Sequence, residues 1–178
     1  DSPYGCTKLC EEKLCLAYAK LYELEAICLR YFNVYGTRQD YEGAYVAVIM
    51  KILDRLDRGE APTVYGDGSQ AYDFINVRDC ARVNVEVIKA EVVDRFYNVC
   101  TGIGTSIREL AETLIDLTGQ EVEIDYLPEE ISFVSKRIGD PTSAREDLGF
   151  VAKTSLVDGL RELIEFRASH RLRGSQVQ

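Results

Sequence analysis

The chain has 178 residues and a mass of 20.1 kDa, with 46% apolar residues, a mean hydropathy of -0.15 and a formal net charge of -9. That length supports one substantial core, and the composition is that of a soluble globular chain without a membrane-length apolar run or a signal-peptide pattern. The negative balance argues against nucleic acid and anionic membranes as partners, since both would be repelled over most of the surface.

Ser2-Pro3 predicts a helix start, an N-cap followed by proline at the first helical position. Glu11, Glu12, Leu14, Leu16, Ala17, Ala19 and Leu21 sustain that helix for about five turns. Tyr4 and Lys8 fall on one of its faces. An ammonium beside a phenol favours the phenolate and brings tyrosine within range of base chemistry. On spacing alone the pair reads first as an ordinary polar pair at a helix start, so other residues must decide.

Ala26 to Tyr31 reads as a short buried strand, Phe32 to Gly43 as a loop, and Tyr45 to Leu56 as a helix ended by Arg58-Gly59. Thr63-Val64-Tyr65 reads as a strand, broken by the turn signal Gly66-Asp67-Gly68 ahead of Tyr72-Asp73-Phe74-Ile75. Asp79 to Ala90 is predicted helical and Phe96 to Cys100 a strand. Thr101 to Ser106 leads into a helix to about Leu117, opened by a capping box of Ser106 with Glu109. Glu121 to Tyr126 alternates as a strand, Pro141 to Leu148 forms a short helix and Ser155 to Phe166 a last one, before a polar tail. Helices alternate with strands throughout, so the class is α/β.

Cysteines stand at 6, 10, 15, 28, 80 and 100. Cys10 and Cys15 in the first helix, with Cys28 and Cys100 in apolar runs, read as small buried hydrophobes of a reducing, cytoplasmic compartment. No CxxC occurs and the one histidine, His170, lies in the polar tail, so no metal site is expected. Nor does a glycine-rich nucleotide fingerprint follow any strand; Thr101-Gly102-Ile103-Gly104 has only two glycines and lacks the βαβ setting.

Five blocks in order resemble the extended short-chain dehydrogenase/reductase family. They are Ser2-Pro3-Tyr4 with Lys8, then Leu29 to Gly36, then Val64 to Phe74, then Tyr97 to Gly102, and finally Ala144 to Phe150. The likeness is greatest to its nucleotide-sugar epimerases and dehydratases, including the UDP-glucose 4-epimerase type. It implies the C-terminal part of a Rossmann-like NAD(P)-binding fold interleaved with a smaller substrate-binding subdomain. Residues 1–168 would form that single α/β unit and 169–178 the polar tail. The preceding half, which in the family carries the NAD-binding glycines and a catalytic serine or threonine, is expected to be absent.

The resemblance also implies roles. Tyr4 would transfer the proton of a sugar hydroxyl, and Lys8 would lower the phenol's pKa and bond the nicotinamide ribose. Tyr31 and Phe32 would border the nicotinamide, with core packing as the alternative for both, and Asn33 would contact a phosphate or sugar oxygen. The segment beginning Tyr45-Val46, together with Tyr65, would hold a uracil-type base. Arg38 and Arg137 would lie near a diphosphate, which the planar guanidinium fork suits.

Tyr72 departs from the family, which usually has arginine there for the substrate diphosphate; a phenol offers one neutral hydrogen bond instead. Lys136 to Pro141 departs from the family's usual arginine-proline-glycine-aspartate stretch. The implied parent is an NAD-dependent 4-epimerase acting on a nucleotide-diphosphate sugar, with a dehydratase, a decarboxylase or a non-catalytic paralogue as alternatives. NAD is expected in that parent and not on this chain alone. A homodimer or a fragment-driven oligomer is the expected assembly.

Overall fold

The structure is a computed structural model describing residues 2–39, 47–93, 95–128 and 135–174. In chain order its first elements are α1 (Pro3–Tyr22), β1 (Ile27–Tyr31), β2 (Asn33–Tyr35), α2 (Val48–Asp57) and β3 (Thr63–Tyr65). Then come β4 (Ala71–Tyr72), β5 (Phe74–Asn76), α3 (Val77–Ile88), β6 (Arg95–Val99) and β7 (Thr105–Ser106). The last are α4 (Ile107–Thr118), β8 (Asp125–Leu127), β9 (Lys136–Arg137), α5 (Thr142–Leu148) and α6 (Leu156–Gly174).

Helix α1 begins where the sequence places it. Ser2 Oγ accepts the Gly5 N–H at 3.0 Å, and Pro3 sits where a missing N–H costs nothing. Only Glu12 and Ala19 are buried along it, while Leu9, Leu14 and Leu21 are exposed. Those leucines therefore do not pack against the sheet among the described residues. Its hold on the sheet is a two-pronged ion pair: Arg30 of β1 donates from Nε and Nη2 to Glu12 at 2.7 and 2.8 Å.

Parallel pairing dominates, as an alternation of strands and helical crossovers requires. β1 runs parallel to β6, with Ile27 opposite Arg95 and Tyr31 opposite Val99. β2 runs parallel to β5 and β3 to β8, while β4 lies between antiparallel β7 and parallel β9. Helices α2, α4 and α6 close a larger core through residues such as Leu53, Leu114 and Leu160 over Val64 and Phe74. A smaller core joins Ile75, Val83, Tyr97, Val99 and Phe150.

Three sequence expectations change. Asn33–Tyr35, placed in a loop, is strand β2, because its ladder with β5 is a pairing across forty residues that no local pattern reveals. The alternating stretch from Glu121 is strand only over β8, where Thr63–Tyr65 is there to pair with it. Helix α6 continues past Phe166 to Gly174, and Arg167 bonds Asp54 and Asp57 of α2 at 2.5 and 2.7 Å.

The cysteines also divide differently: Cys80 and Cys100 are buried and Cys28 partly so, but Cys6, Cys10 and Cys15 are exposed, because little of α1 is covered. All six are free thiols. Among the described residues no group of acidic, histidine and cysteine side chains is arranged to hold a metal. No described helix is long and apolar enough to cross a membrane.

Two contacts carry predictions. Gly159 of α6 lies where a Cβ would sit 2.6 Å from Asn76 Nδ2 and still nearer the Tyr35 hydroxyl. Gly159→Ala should therefore lower stability by about 1–3 kcal/mol in urea unfolding, since neither neighbour is the free end of a flexible chain. An unchanged midpoint would mean that α6 does not approach Tyr35 so closely.

Asp79 is buried and accepts from Arg82 Nη2 at 2.6 Å, Thr154 N–H at 2.9 Å and Lys153 N–H at 3.1 Å. Burial alone would raise this carboxyl, but Arg82 and the two backbone donors outweigh it and hold it below its ordinary value. A depressed carboxylate stabilises fully above its unfolded pKa of about 3.9, and that contribution fades as pH falls through the lower folded value. Stability should thus decline below about pH 4, and Asp79→Asn should make that decline shallower.

Candidate active site

The end of β1 is where the chain changes sheet partner. Phe32 N–H still donates to Val99 O at 3.1 Å, but Asn33 N–H donates to Asp73 O at 3.1 Å. A change of partner at the carboxyl end of parallel strands is a usual place for a ligand in an α/β sheet.

Asp73 organises that strand end. It is 0% exposed, and its carboxylate accepts from Thr101 N–H at 2.9 Å, Thr101 Oγ1 at 2.7 Å, Gly102 N–H at 2.8 Å and Gly139 N–H at 3.4 Å. Its carbonyl takes both the Asn33 N–H and, at 2.9 Å, the Asn33 side-chain amide. Its own N–H donates to Arg137 O at 3.0 Å. One residue thus links the ends of β1, β6 and β9. Sequence reasoning gave it no role, although an aspartate between Tyr72 and Phe74 in an apolar run signals a buried charge that must find donors.

Tyr72 and Arg137 are register partners on β4 and β9. The guanidinium therefore stands on the strand next to the phenol, beside the position where a charge is expected. Tyr72 is half-buried, its ring 6.4 Å from Phe74, and Arg137 is exposed. Asn33 and Arg137 thus both bond the Asp73 backbone, next to Tyr72.

Phe32 and Tyr31 turn out to be held by packing and bonding partners. The Phe32 ring and Cys100 Sγ crowd Gly139 so closely that a Cβ there would lie 2.8 and 2.5 Å from them. The Tyr31 hydroxyl accepts from Asn84 of α3 at 2.7 Å. Burial pushes the Cys100 thiol up to about 12, with Asp73 adding to it, so this sulfur is neutral at the site.

Tyr4 and Lys8 are neighbours on α1, with Lys8 Nζ 5.8 Å from the Tyr4 ring centroid. Tyr4 is 72% exposed. Lys8 also bonds Glu11 at 2.8 Å, and that hydrogen bond raises its pKa, so the ammonium stays charged through the neutral range. An exposed phenol beside a fixed cation can exchange a proton with a substrate hydroxyl. Among the described residues no hydrogen bond joins this pair to the Asp73 group.

The contacts around Asp73 include neither Arg38 nor Tyr65. Arg38 is exposed in the turn after β2 with a positive φ of 67°, and Tyr65 ends β3 opposite Leu127. Tyr45 and Val46 lie outside the described residues. A cavity of about 330 Å3 lies to one side, lined by Phe74, Cys100, Thr101, Arg145 and Lys153 among others. It is lined by members of three of the sequence blocks, Phe74, Thr101 and Arg145 among them, but by none of the residues to which the sequence gives a catalytic, cofactor or substrate role. Much of its wall is the segment before α6 that Asp79 fixes through Lys153 and Thr154.

Residues 1–100 match the model of the NAD dependent epimerase/dehydratase family. A putative UDP-glucose 4-epimerase of Methanocaldococcus jannaschii is 34% identical over 167 residues, 93% of this chain and 53% of the relative. The Thermotoga maritima UDP-glucose 4-epimerase, solved with UDP-glucose, superposes with a TM-score of 0.90 at 35% identity over 96% of this chain and 55% of that one. The Bacillus cereus UDP-glucuronic acid 4-epimerase, solved with UDP-glucuronic acid and NAD, gives 0.84 at 27% identity over 95% and 53%. The chain spans about half the length of the curated relatives it matches.

Proposed function

This chain belongs to the NAD-dependent epimerase/dehydratase family, and on that premise we propose that it carries the acid–base pair and the substrate side of a nucleotide-sugar 4-epimerase. The observation that carries the reading is the Asp73 backbone, which bonds Asn33 through its carbonyl and Arg137 through its N–H, with Tyr72 next to it at the strand end. An amide, a phenol and a guanidinium there suit the oxygens of a nucleoside diphosphate joined to a sugar.

The chain's residues fit the reactive end of NAD, through the exposed Tyr4 and Lys8, but supply no glycine-rich strand-to-helix turn for its diphosphate. When bound, the cofactor supplies a reversible hydride acceptor. Tyr4 takes the proton of the sugar hydroxyl as the carbon beneath it is oxidised to a ketone. It returns that proton once the keto-sugar has presented its other face. Lys8 holds positive charge beside the phenol throughout, and Asn33 and Arg137 keep the diphosphate in place while the sugar turns. A second copy seated on the exposed leucines of α1 is the assembly we propose.

Calorimetry with UDP-glucose tests the substrate side. Arg137→Ala should weaken binding about 10-fold, and Tyr72→Arg, by restoring a charged fork, should tighten it about 10-fold or more. If neither substitution changes the affinity, the strand end is not the diphosphate site.

A further inference from the structure

Helix α1 and strand β1 meet at the Arg30–Glu12 pair, and two cysteines flank that contact. Cys15 follows Glu12 by three residues and shares its helix face. Cys28 precedes Arg30 by two and shares its strand face. The opposite face of β1, carrying Ile27 and Leu29, packs into the smaller core, which leaves Cys28 on the side that α1 covers. A second contact gives the same register: Leu16 lines a cleft with Phe96, the residue opposite Cys28 on β6. The Arg30–Glu12 contact thus places Cys15 and Cys28 on the facing sides of helix and strand. Cys15 is exposed to solvent and Cys28 is partly buried.

We propose that Cys15 and Cys28 form a dithiol–disulfide pair, an oxidation site whose co-substrate is a small disulfide such as glutathione disulfide. The inference stands independently of the nucleotide-sugar reading. The Cys15 thiolate attacks one sulfur of glutathione disulfide, forming a mixed disulfide and expelling one glutathione thiolate. Cys28, held against it, then attacks the Cys15 sulfur, closing the Cys15–Cys28 bond and releasing the second glutathione thiolate. Two electrons pass from the cysteines to glutathione, and the two thiol protons end on the two glutathione molecules. Burial raises the Cys28 pKa, with Cys15 and Glu12 adding to it, which suits Cys28 to the second, intramolecular step. The bond would fix the helix that bears Tyr4 and Lys8 to the strand that ends at Tyr31.

The test is peptide mass spectrometry after treating the native chain with excess glutathione disulfide and trapping free thiols. Trypsin separates the two cysteines, releasing Leu14 to Lys20 and Leu21 to Arg30 as distinct peptides. The expected product is those two peptides joined, less two hydrogens, as the predominant cross-link, reversed by dithiothreitol. In guanidinium chloride the links should scatter over all six cysteines. Cys15→Ser should abolish the native link, and Cys28→Ser should leave glutathione on Cys15. A stable glutathione adduct on Cys15 in the unsubstituted chain overturns the proposal. So does a native pattern dominated by Cys6 or Cys10, or one matching the denatured chain.

Discussion

Asp73→Ala is expected to remove about 3–5 kcal/mol of unfolding free energy, the largest stability loss of any substitution considered for this chain. The carboxylate has four donors around it in a fully buried place, and each donor left without an acceptor costs about 1–3 kcal/mol. Gly139 cannot move to compensate, because Cys100 and Phe32 already close on it. Asp73→Asn should fall between, since it keeps one acceptor oxygen but turns an amide toward backbone donors. Thr101→Val removes the hydroxyl's bond to Asp73 and its acceptance of the Ile103 N–H, and should cost about 1–2 kcal/mol. Urea unfolding of the three variants should give that order. A loss under about 1 kcal/mol for the alanine variant would show that the strand ends hold together without Asp73. UDP-glucose binding should weaken in the same order, because the carboxylate fixes in place the strand end whose backbone bonds Asn33 and Arg137.

Most helices were legible because their signals are local. The Ser2 cap and the Ser106–Glu109 box both appear in the structure as hydrogen bonds where the sequence puts them. Strand β2 was not legible. Three residues gain strand geometry only because Phe74–Asn76 arrives alongside them, and that pairing has no trace in local alternation. The extent of α6 was hidden for a related reason, since the sequence around Arg167 is polar and its aspartate partners lie on α2.

The candidate site divides along the same line. Asn33, Tyr72 and Arg137 could be named from motifs, but the residue whose backbone links them is Asp73, with carboxylate partners 28, 29 and 66 residues further on. A buried acid announces that it needs donors; it does not announce which. Tyr31 and Phe32 show the reverse. Motif order suggested a ligand border, while the structure supplies Asn84 for one and Gly139 with Cys100 for the other, so each has a packing or bonding reason to be there.

In an enzyme that joins this chain to a dinucleotide-binding segment, Tyr4→Phe should lower kcat for UDP-glucose by about 100- to 10,000-fold while KM changes little. The phenylalanine keeps the ring and the helix face but has no proton to exchange, and Tyr4 is exposed enough that the fold does not depend on its hydroxyl. Lys8→Met offers a sharper discrimination. Losing the ammonium removes the cation beside the ring, so kcat should fall about 10-fold or more while the fold is kept. Glu11→Gln keeps that cation and should leave turnover nearly unchanged, although Lys8 loses the carboxylate 2.8 Å away. If Tyr4→Phe raises KM and leaves kcat unchanged, the tyrosine is a binding contact and the proton transfer belongs to another group. If all three variants turn over like the unsubstituted enzyme, the two residues are only the first turn of a helix, as their spacing alone suggests.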